Sequence, residues 1–364
     1  MPRELPARLL DWQTMAKTPA FPEHAPLEPM EALLVEQLPA GEGWQFEPKW
    51  DGFRCLVVRD GDRVDLWSKS GKPLGRYFPE MLALFCRLGT KRFILDGELL
   101  IETEGVISFD ALQARLHPAA SRVQKLSIET PARFVAFDCL ADGDDVLDAI
   151  PLAERRTVLE ALISRESEPS LLLSPATSEA SRALGWLSQS GAALDGVIAK
   201  RLDQEYRPGE RAMLKVKVRR TADCVIGGFR FDRAGVGVAS LLLGLYDDDG
   251  KLNHVGFTSS IAGSERAAWT DELEALRGGP GFTGKAPGGP SRWSTERSSE
   301  WQPLRPELVV EVLYDQVTGD RFRHGTRLLR RRPDKAPGQC RMEQLDHPLT
   351  PAQIDQLLIS KGDK

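Results

Sequence analysis

Strand-length apolar runs closed by Gly, Asp or Pro recur through most of this chain, and amphipathic stripes interrupt them without strict strand–helix alternation. Cys55-Leu56-Val57-Val58, the turn Asp60-Gly61-Asp62 and the alternating Val64 and Leu66 predict a hairpin. Further strands are expected at 93–101, 134–140, 196–199 and 214–218, and helices at 79–88, 109–116 and 178–189. Another helix opens at Pro151, where proline suits the first helical position and Leu152, Leu159, Leu162 and Ile163 form one stripe. The first 40 residues are Pro-rich and weakly patterned, an edge segment and a loop. Such a mixture predicts an α+β fold, antiparallel sheets and helices packed in layers.

The character changes after Arg219-Arg220. Strands are expected at 222–231, 240–246, 252–257 and 308–317, with one helix at 265–276, which suits a small closed barrel of the OB-fold kind. The stretch 278–299 is rich in Gly, Pro and Ser and reads as a loop. A length of 364 residues also exceeds one average core. We therefore expect a first domain over 1–219, a barrel domain with a C-terminal tail over 220–364, and a hinge near residue 220.

Several classes are excluded. No run of about 18 apolar residues exists to span a membrane, and the N-terminus lacks the apolar core of a secretion signal. The five cysteines lie at least 31 positions apart with no CxxC pair, which argues against a zinc ribbon or a disulfide framework. These features predict a soluble protein of a reducing compartment, the cytoplasm. A net charge of -5 argues against indiscriminate coating of nucleic acid. Yet residues 200–220 carry eight Lys/Arg against three Asp/Glu, and residues 320–335 seven against two. One such run is as well explained by solvated surface as by a polyanion groove; two, interleaved with apolar residues, favour the groove.

The chemistry begins at Glu47-Pro48-Lys49-Trp50-Asp51-Gly52-Phe53-Arg54. A lysine just before a strand is rigidly supported, and an amine in such a place can serve as a nucleophile. Asp96 and Glu98 share strand parity, so both carboxylates face one side. In Leu214-Lys215-Val216-Lys217-Val218 the lysines alternate with apolar residues, offering two cations either to solvent or to phosphates. No GxxxxGK[ST] run and no GxGxxG after a strand are present, so side chains rather than a glycine cradle must hold any phosphate. Carboxylate oxygens suit a Mg²⁺ ion that keeps waters and bridges phosphates.

Together these segments resemble the covalent nucleotidyltransferases: ATP-dependent DNA ligases, RNA ligases and mRNA capping enzymes. Lys49-Trp50-Asp51-Gly52 is similar to motif I, and Ser68-Lys69-Ser70-Gly71 with Phe78-Pro79-Glu80 to the segment after the first hairpin. Leu95-Asp96-Gly97-Glu98 resembles motif III, and Phe134-Val135-Ala136-Phe137-Asp138 motif IIIa. Pro151-Leu152-Ala153-Glu154-Arg155-Arg156, Asp195-Gly196-Val197-Ile198-Ala199-Lys200, Lys215-Val216-Lys217 and Arg332-Pro333-Asp334-Lys335 follow in the family's order. Any one of these is a weak signal, but their order and spacing are specific, and they cover about residues 25 to 345. The overall pattern is most like the small stand-alone bacterial DNA ligases of the ligase C kind.

The resemblance implies roles residue by residue. Lys49 would take AMP from ATP as a lysyl phosphoramidate. Glu47, Asp51, Gly52, Arg54, Glu98, Phe137, Lys200, Arg211, Lys215 and Lys217 would bind the nucleotide, with Phe137 stacked on the purine. Without the resemblance, Phe137 reads as a core aromatic. Glu98 and Asp195 would hold Mg²⁺ or Mn²⁺; Arg332, Asp334 and Lys335 would orient pyrophosphate; Lys69 would touch a DNA phosphate. The implied reaction seals 5′-phosphate/3′-hydroxyl nicks in double-stranded DNA during repair. The enzyme is expected to be a monomer, with a repair polymerase as a partner and no membrane association. An RNA ligase, a GTP-using capping enzyme and a non-catalytic OB-fold DNA-binding protein are the alternatives. The chain departs from the pattern at Asp195, where Glu is usual, at Lys69, where Arg is commoner, and at Met213-Leu214, where an aromatic residue often stands.

Overall fold

The computed structural model describes residues 28–103, 106–188, 194–217, 220–288 and 300–345. The largest sheet runs in the order Arg63–Ser68, Phe53–Asp60, Arg92–Thr103, Ala132–Asp142 and Asp145–Val146, with Val106–Ile107 and Leu171–Leu173 added at its sides. Its strands alternate as a two-sided sheet requires. Cys55, Val57, Leu95, Leu99, Phe134 and Ala136 share a core with the helices Pro79–Arg87, Phe109–Arg115 and Leu152–Arg165. Leu56, Val58, Ile94 and Leu140 point the other way, where Met30, Tyr206 and Met213 join them. Each large apolar side chain buried in these clusters contributes about 1.5–3 kcal/mol.

A second sheet orders Ala32–Val35, Met213–Lys217, Leu194–Arg201 and Trp44–Trp50, the first pair parallel and the others antiparallel. Phe46 and Trp50 pack with Val197, Ala199 and Trp186 of the Ala180–Ser188 helix. Glu47 and Lys49, at the intervening positions, therefore take the opposite face.

Strands from residue 220 onward form the third sheet: Leu252–Thr258, Val238–Tyr246, Arg220–Phe231, Val309–Tyr314 and Arg327–Arg331, with Gln302–Pro303 on Arg220–Phe231. The first and last of these meet. Thr326 donates its N–H to the Phe257 carbonyl at 3.0 Å, and Thr258 Oγ1 donates to the Thr326 carbonyl at 2.9 Å, closing a small barrel. Its core holds Leu241, Leu243, Val255 and, from the Arg266–Ala275 helix, Trp269 and Leu273. Among the described residues no helix is long and apolar enough to cross a membrane.

Three elements differ from the sequence reading. Lys49 lies inside a strand, Trp44–Trp50, rather than before one; Pro48 and two charges hide that strand from propensity. The helix Ala120–Glu129 was not expected, because its buried face sets Ser127 beside Val123 while Ile128 lies exposed. Arg327–Arg331 is a strand despite three arginines, since it pairs with Val309–Tyr314 while all three arginines stay exposed. The ends of the expected helix 178–189 and strand 214–218, and residues 289–299 of the expected loop, lie outside the described residues.

Candidate active site

Between the first two sheets lies a cleft of about 1110 Å³, lined by Glu47, Lys49, Arg54, Glu98, Phe137, Lys200 and Lys215, with Ser68, Lys69 and Ser70 at its side. Strand geometry places its central lysine. Lys49 is opposite Gly196, and Gly196 is opposite Lys217 on the next strand. A bulge between Leu194 and Gly196 turns Asp195 toward both lysines. Its Oδ2 lies 2.6 Å from Lys49 Nζ and 2.8 Å from Lys217 Nζ. Only glycine fits at 196: φ is +146°, and a Cβ there would sit 2.0 Å from the Val216 carbonyl oxygen.

Burial raises the Asp195 carboxyl, but the two ammoniums more than offset it and leave it below the ordinary carboxylate range. Glu98 goes the other way. Burial pushes it up to about 8 against the pull of Lys49 and Arg54, with Asp51 adding like charge. It accepts the Gly52 N–H at 3.1 Å. A Cβ at 52 would lie 2.2 Å from the Leu99 carbonyl oxygen, so this approach also demands glycine. Burial and the neighbouring ammoniums of Lys49, Lys217 and Lys69 hold Lys215 below the ordinary lysine value.

The opposite wall is aromatic and cationic. Arg54 lies 5.4 Å and Lys200 Nζ 4.8 Å from the Phe137 ring centre. Phe137 belongs to the cleft wall and not to a core cluster. Asp96 fixes Arg54 through two bonds, 3.0 Å to Nε and 2.6 Å to Nη2, and accepts the Tyr206 hydroxyl at 2.7 Å. Lys200 pairs with Glu47 Oε1 at 2.9 Å, and Gln45 Nε2 donates to that same oxygen at 2.7 Å.

The structure does not bring every expected residue into the cleft. Asp51 points away and receives Arg323 Nη1 of the barrel at 2.7 and 2.9 Å; burial raises its carboxyl despite that partner. Arg211 is 70% exposed and 3.6 Å from Glu31, so it faces solvent. Lys69 stands at the cleft's side, paired with Glu31 at 2.9 Å. Asp195 and Lys217 stand behind Lys49. Arg332 and Lys335 sit on the barrel, bound to Asp223 at 2.8 and 2.7 Å, and Asp334 clasps Arg332 at 2.9 Å. Reading by sequence missed Arg323, Asp223 and Gln45. Arg323 lay within a basic run that gives no sign of which arginine reaches Asp51, and a lone Asp or Gln carries no spacing signal.

Two expected motifs hold the scaffold. Glu80 takes the fully buried Arg115 at 2.7 Å and the Ala132 N–H at 3.1 Å. Arg155 forks onto Asp138 at 2.8 and 3.0 Å, securing the strand that carries Phe137. Among the described residues no group of three or more His, Cys, Asp or Glu could hold a metal by itself.

A layered domain with a cation-lined cleft, followed by a small barrel, is the architecture of a nucleotidyltransferase. The family model described as "ATP dependent DNA ligase domain" matches residues 29–217, and "ATP dependent DNA ligase C terminal region" matches 234–335. The chain is 46% identical to DNA ligase C1 of Mycolicibacterium smegmatis over 90% of this chain and 96% of that one. It is 41% identical to DNA ligase C of Mycobacterium tuberculosis over 91% and 96%. A solved structure titled Pmar-Lig_PreS3 shares the fold at TM-score 0.52 and 14% identity, over 84% of this chain and 68% of that one. The chain belongs to the ATP-dependent DNA ligase family.

Proposed function

We propose that this DNA ligase uses ATP to seal 5′-phosphate/3′-hydroxyl nicks in duplex DNA during repair, with Lys49 as the residue that carries AMP. The observation that supports it is one lysine amine in a cation-lined cleft of about 1110 Å³, held by Asp195 at 2.6 Å. Lys49 Nζ bonds to the α-phosphorus of ATP as the bond from that phosphorus to its bridging oxygen breaks. Pyrophosphate leaves with the electron pair, and Asp195 Oδ2 is in place to receive the proton shed by the nitrogen. A 5′-phosphate oxygen at the nick then displaces Nζ, and the 3′-hydroxyl oxygen finally displaces AMP. Phosphoryl transfer asks chiefly for alignment and charge neutralisation. Lys200 and Lys215 supply the second, with Lys217 adding its charge from behind Lys49, while Phe137 and Glu47 hold the purine.

Arg332 and Lys335 reach the pyrophosphate only if the barrel turns, so the division at residues 219 and 220 is part of this reading. A divalent cation, Mg²⁺ or Mn²⁺, fits the donors present. Glu98 lines the cleft and offers the hard oxygen donor such an ion takes, and an ion bringing water and phosphate oxygens needs few protein ligands. Glu98 would hold it at the cleft wall, with Asp195 adding negative charge from behind Lys49, and when bound it would neutralise phosphate charge. The same reading has the enzyme act as a monomer in the bacterial cytoplasm, alongside gap-filling repair polymerases.

Mass spectrometry after incubation with ATP and Mg²⁺ is expected to find one AMP on Lys49. Lys49→Ala should take none and seal nothing, while binding nicked DNA within about threefold of the parent, since most contacts go to phosphates elsewhere. Labelling from GTP alone, or sealing by Lys49→Ala, would falsify the proposal.

A further inference from the structure

We infer that Asp223 is a positioning residue that presents Arg332 and Lys335 to the nucleotide as one preset pair; this rests on the function proposed above. Asp223 lies on the barrel strand Arg220–Phe231 and is 9% exposed. Its two oxygens are divided between two cations: Oδ1 accepts Arg332 Nη1 at 2.8 Å, and Oδ2 accepts Lys335 Nζ at 2.7 Å. The backbone that carries this carboxylate is held on its strand. Gln344 accepts the Asp223 N–H at 3.0 Å and donates to its carbonyl at 3.2 Å, and Asp223 faces Glu311 on the neighbouring strand.

On its other edge, Arg332 donates Nε and Nη2 to Asp334 at 3.0 and 2.9 Å. Two cations and two carboxylates make the group neutral, so it can be carried on the barrel surface without drawing in stray polyanions. Both cations remain partly open, Arg332 at 19% and Lys335 at 23%. A phosphate chain brought to them would meet a guanidinium and an ammonium already spaced by one carboxylate. Without Asp223 the two like charges would repel, and each long side chain would regain rotamer freedom that ATP would then have to remove.

The reaction step that uses this pair is the transfer of AMP from ATP to Lys49, where pyrophosphate leaves. Sealing of a nick that already carries AMP releases no pyrophosphate and should not need it. The two steps can be measured apart.

Asp223→Asn keeps the backbone bonds and the shape but removes the charge. It is expected to slow single-turnover adenylylation of the enzyme about ten- to hundredfold, the range of a lost charge-assisted hydrogen bond. Sealing of a pre-adenylylated nick should change by less than about threefold, and Asp223→Glu should recover part of the first step. In an Arg332→Ala, Lys335→Ala background, Asp223→Asn should add less than about twofold, because its partners are gone. Unchanged adenylylation, an equal loss in both steps, or a full further loss in that background would overturn the assignment. Should the parent enzyme itself take no AMP, the proposed function fails, whatever Asp223 does.

Discussion

In the cleft and again on the barrel, one buried carboxylate bridges two cations, and the surroundings differ. In the cleft, Asp195 joins Lys49 and Lys217; on the barrel, Asp223 joins Arg332 and Lys335. The barrel group is balanced by Asp334, which takes the far edge of Arg332. The cleft group has no such balance. Lys215 adds a further cation, burial holds Glu98 toward its neutral form, and Arg323 occupies Asp51. The first arrangement leaves net positive charge where a triphosphate would lie. The second stores its charges until they are brought to a ligand. The position of the compensating carboxylate, more than the number of cations, separates an attracting site from a stored one.

The comparison can be broken most directly at Asp195. Because it touches the proposed nucleophile, Asp195→Asn is expected to slow AMP transfer from ATP by about a hundredfold or more, exceeding the loss from Asp223→Asn. Equal losses in single-turnover assays would erase the distinction between the two carboxylates.

A smaller effect concerns pH. The Glu98 carboxyl sits near 8 in the folded protein against 4.5 as its ordinary value, so the folded state binds more protons across that window. Stability contributed at this site therefore falls as pH rises from 4.5 toward 8. Glu98→Gln should remove that fall, raising Tm relative to the parent by about 3 °C more near pH 8.5 than near pH 5 in nucleotide-free thermal unfolding. A constant difference between the two proteins across that range would refute the proposed charge environment of the cleft.

The smallest expected effect is at the cleft's side. Lys69 is 56% exposed and paired only with Glu31 among the described residues, so Lys69→Ala should weaken nicked-DNA binding about threefold. The salt slope of binding should fall by about one, and an unchanged slope would mean that Lys69 meets no phosphate.

Much of the architecture was legible before any coordinates. The hairpin around Gly61, the strands bearing Glu98 and Phe137 and the helix after Pro151 all follow from period and punctuation, because each buries a regular apolar face. The strand carrying Lys49 was not legible as one, since Pro48, which strands disfavour, sits within its Trp44, Phe46, Trp50 alternation. The cleft was readable as a set of residue types in order. Which of them share it was not: Asp51, two residues from Lys49, faces the barrel instead. Arg211, close in sequence to Lys215, faces solvent.

The amino-acid order alone determined the family, the layered domain followed by a barrel, and the lysine to which the chemistry is assigned, because periodic burial and motif spacing are local properties of the chain. Only the tertiary structure decided the pairings. Asp195 with Lys49 and Lys217, Asp223 with Arg332 and Lys335, and Arg323 with Asp51 all join distant segments. Charges select partners by distance and burial, and these exist only once the strands have packed.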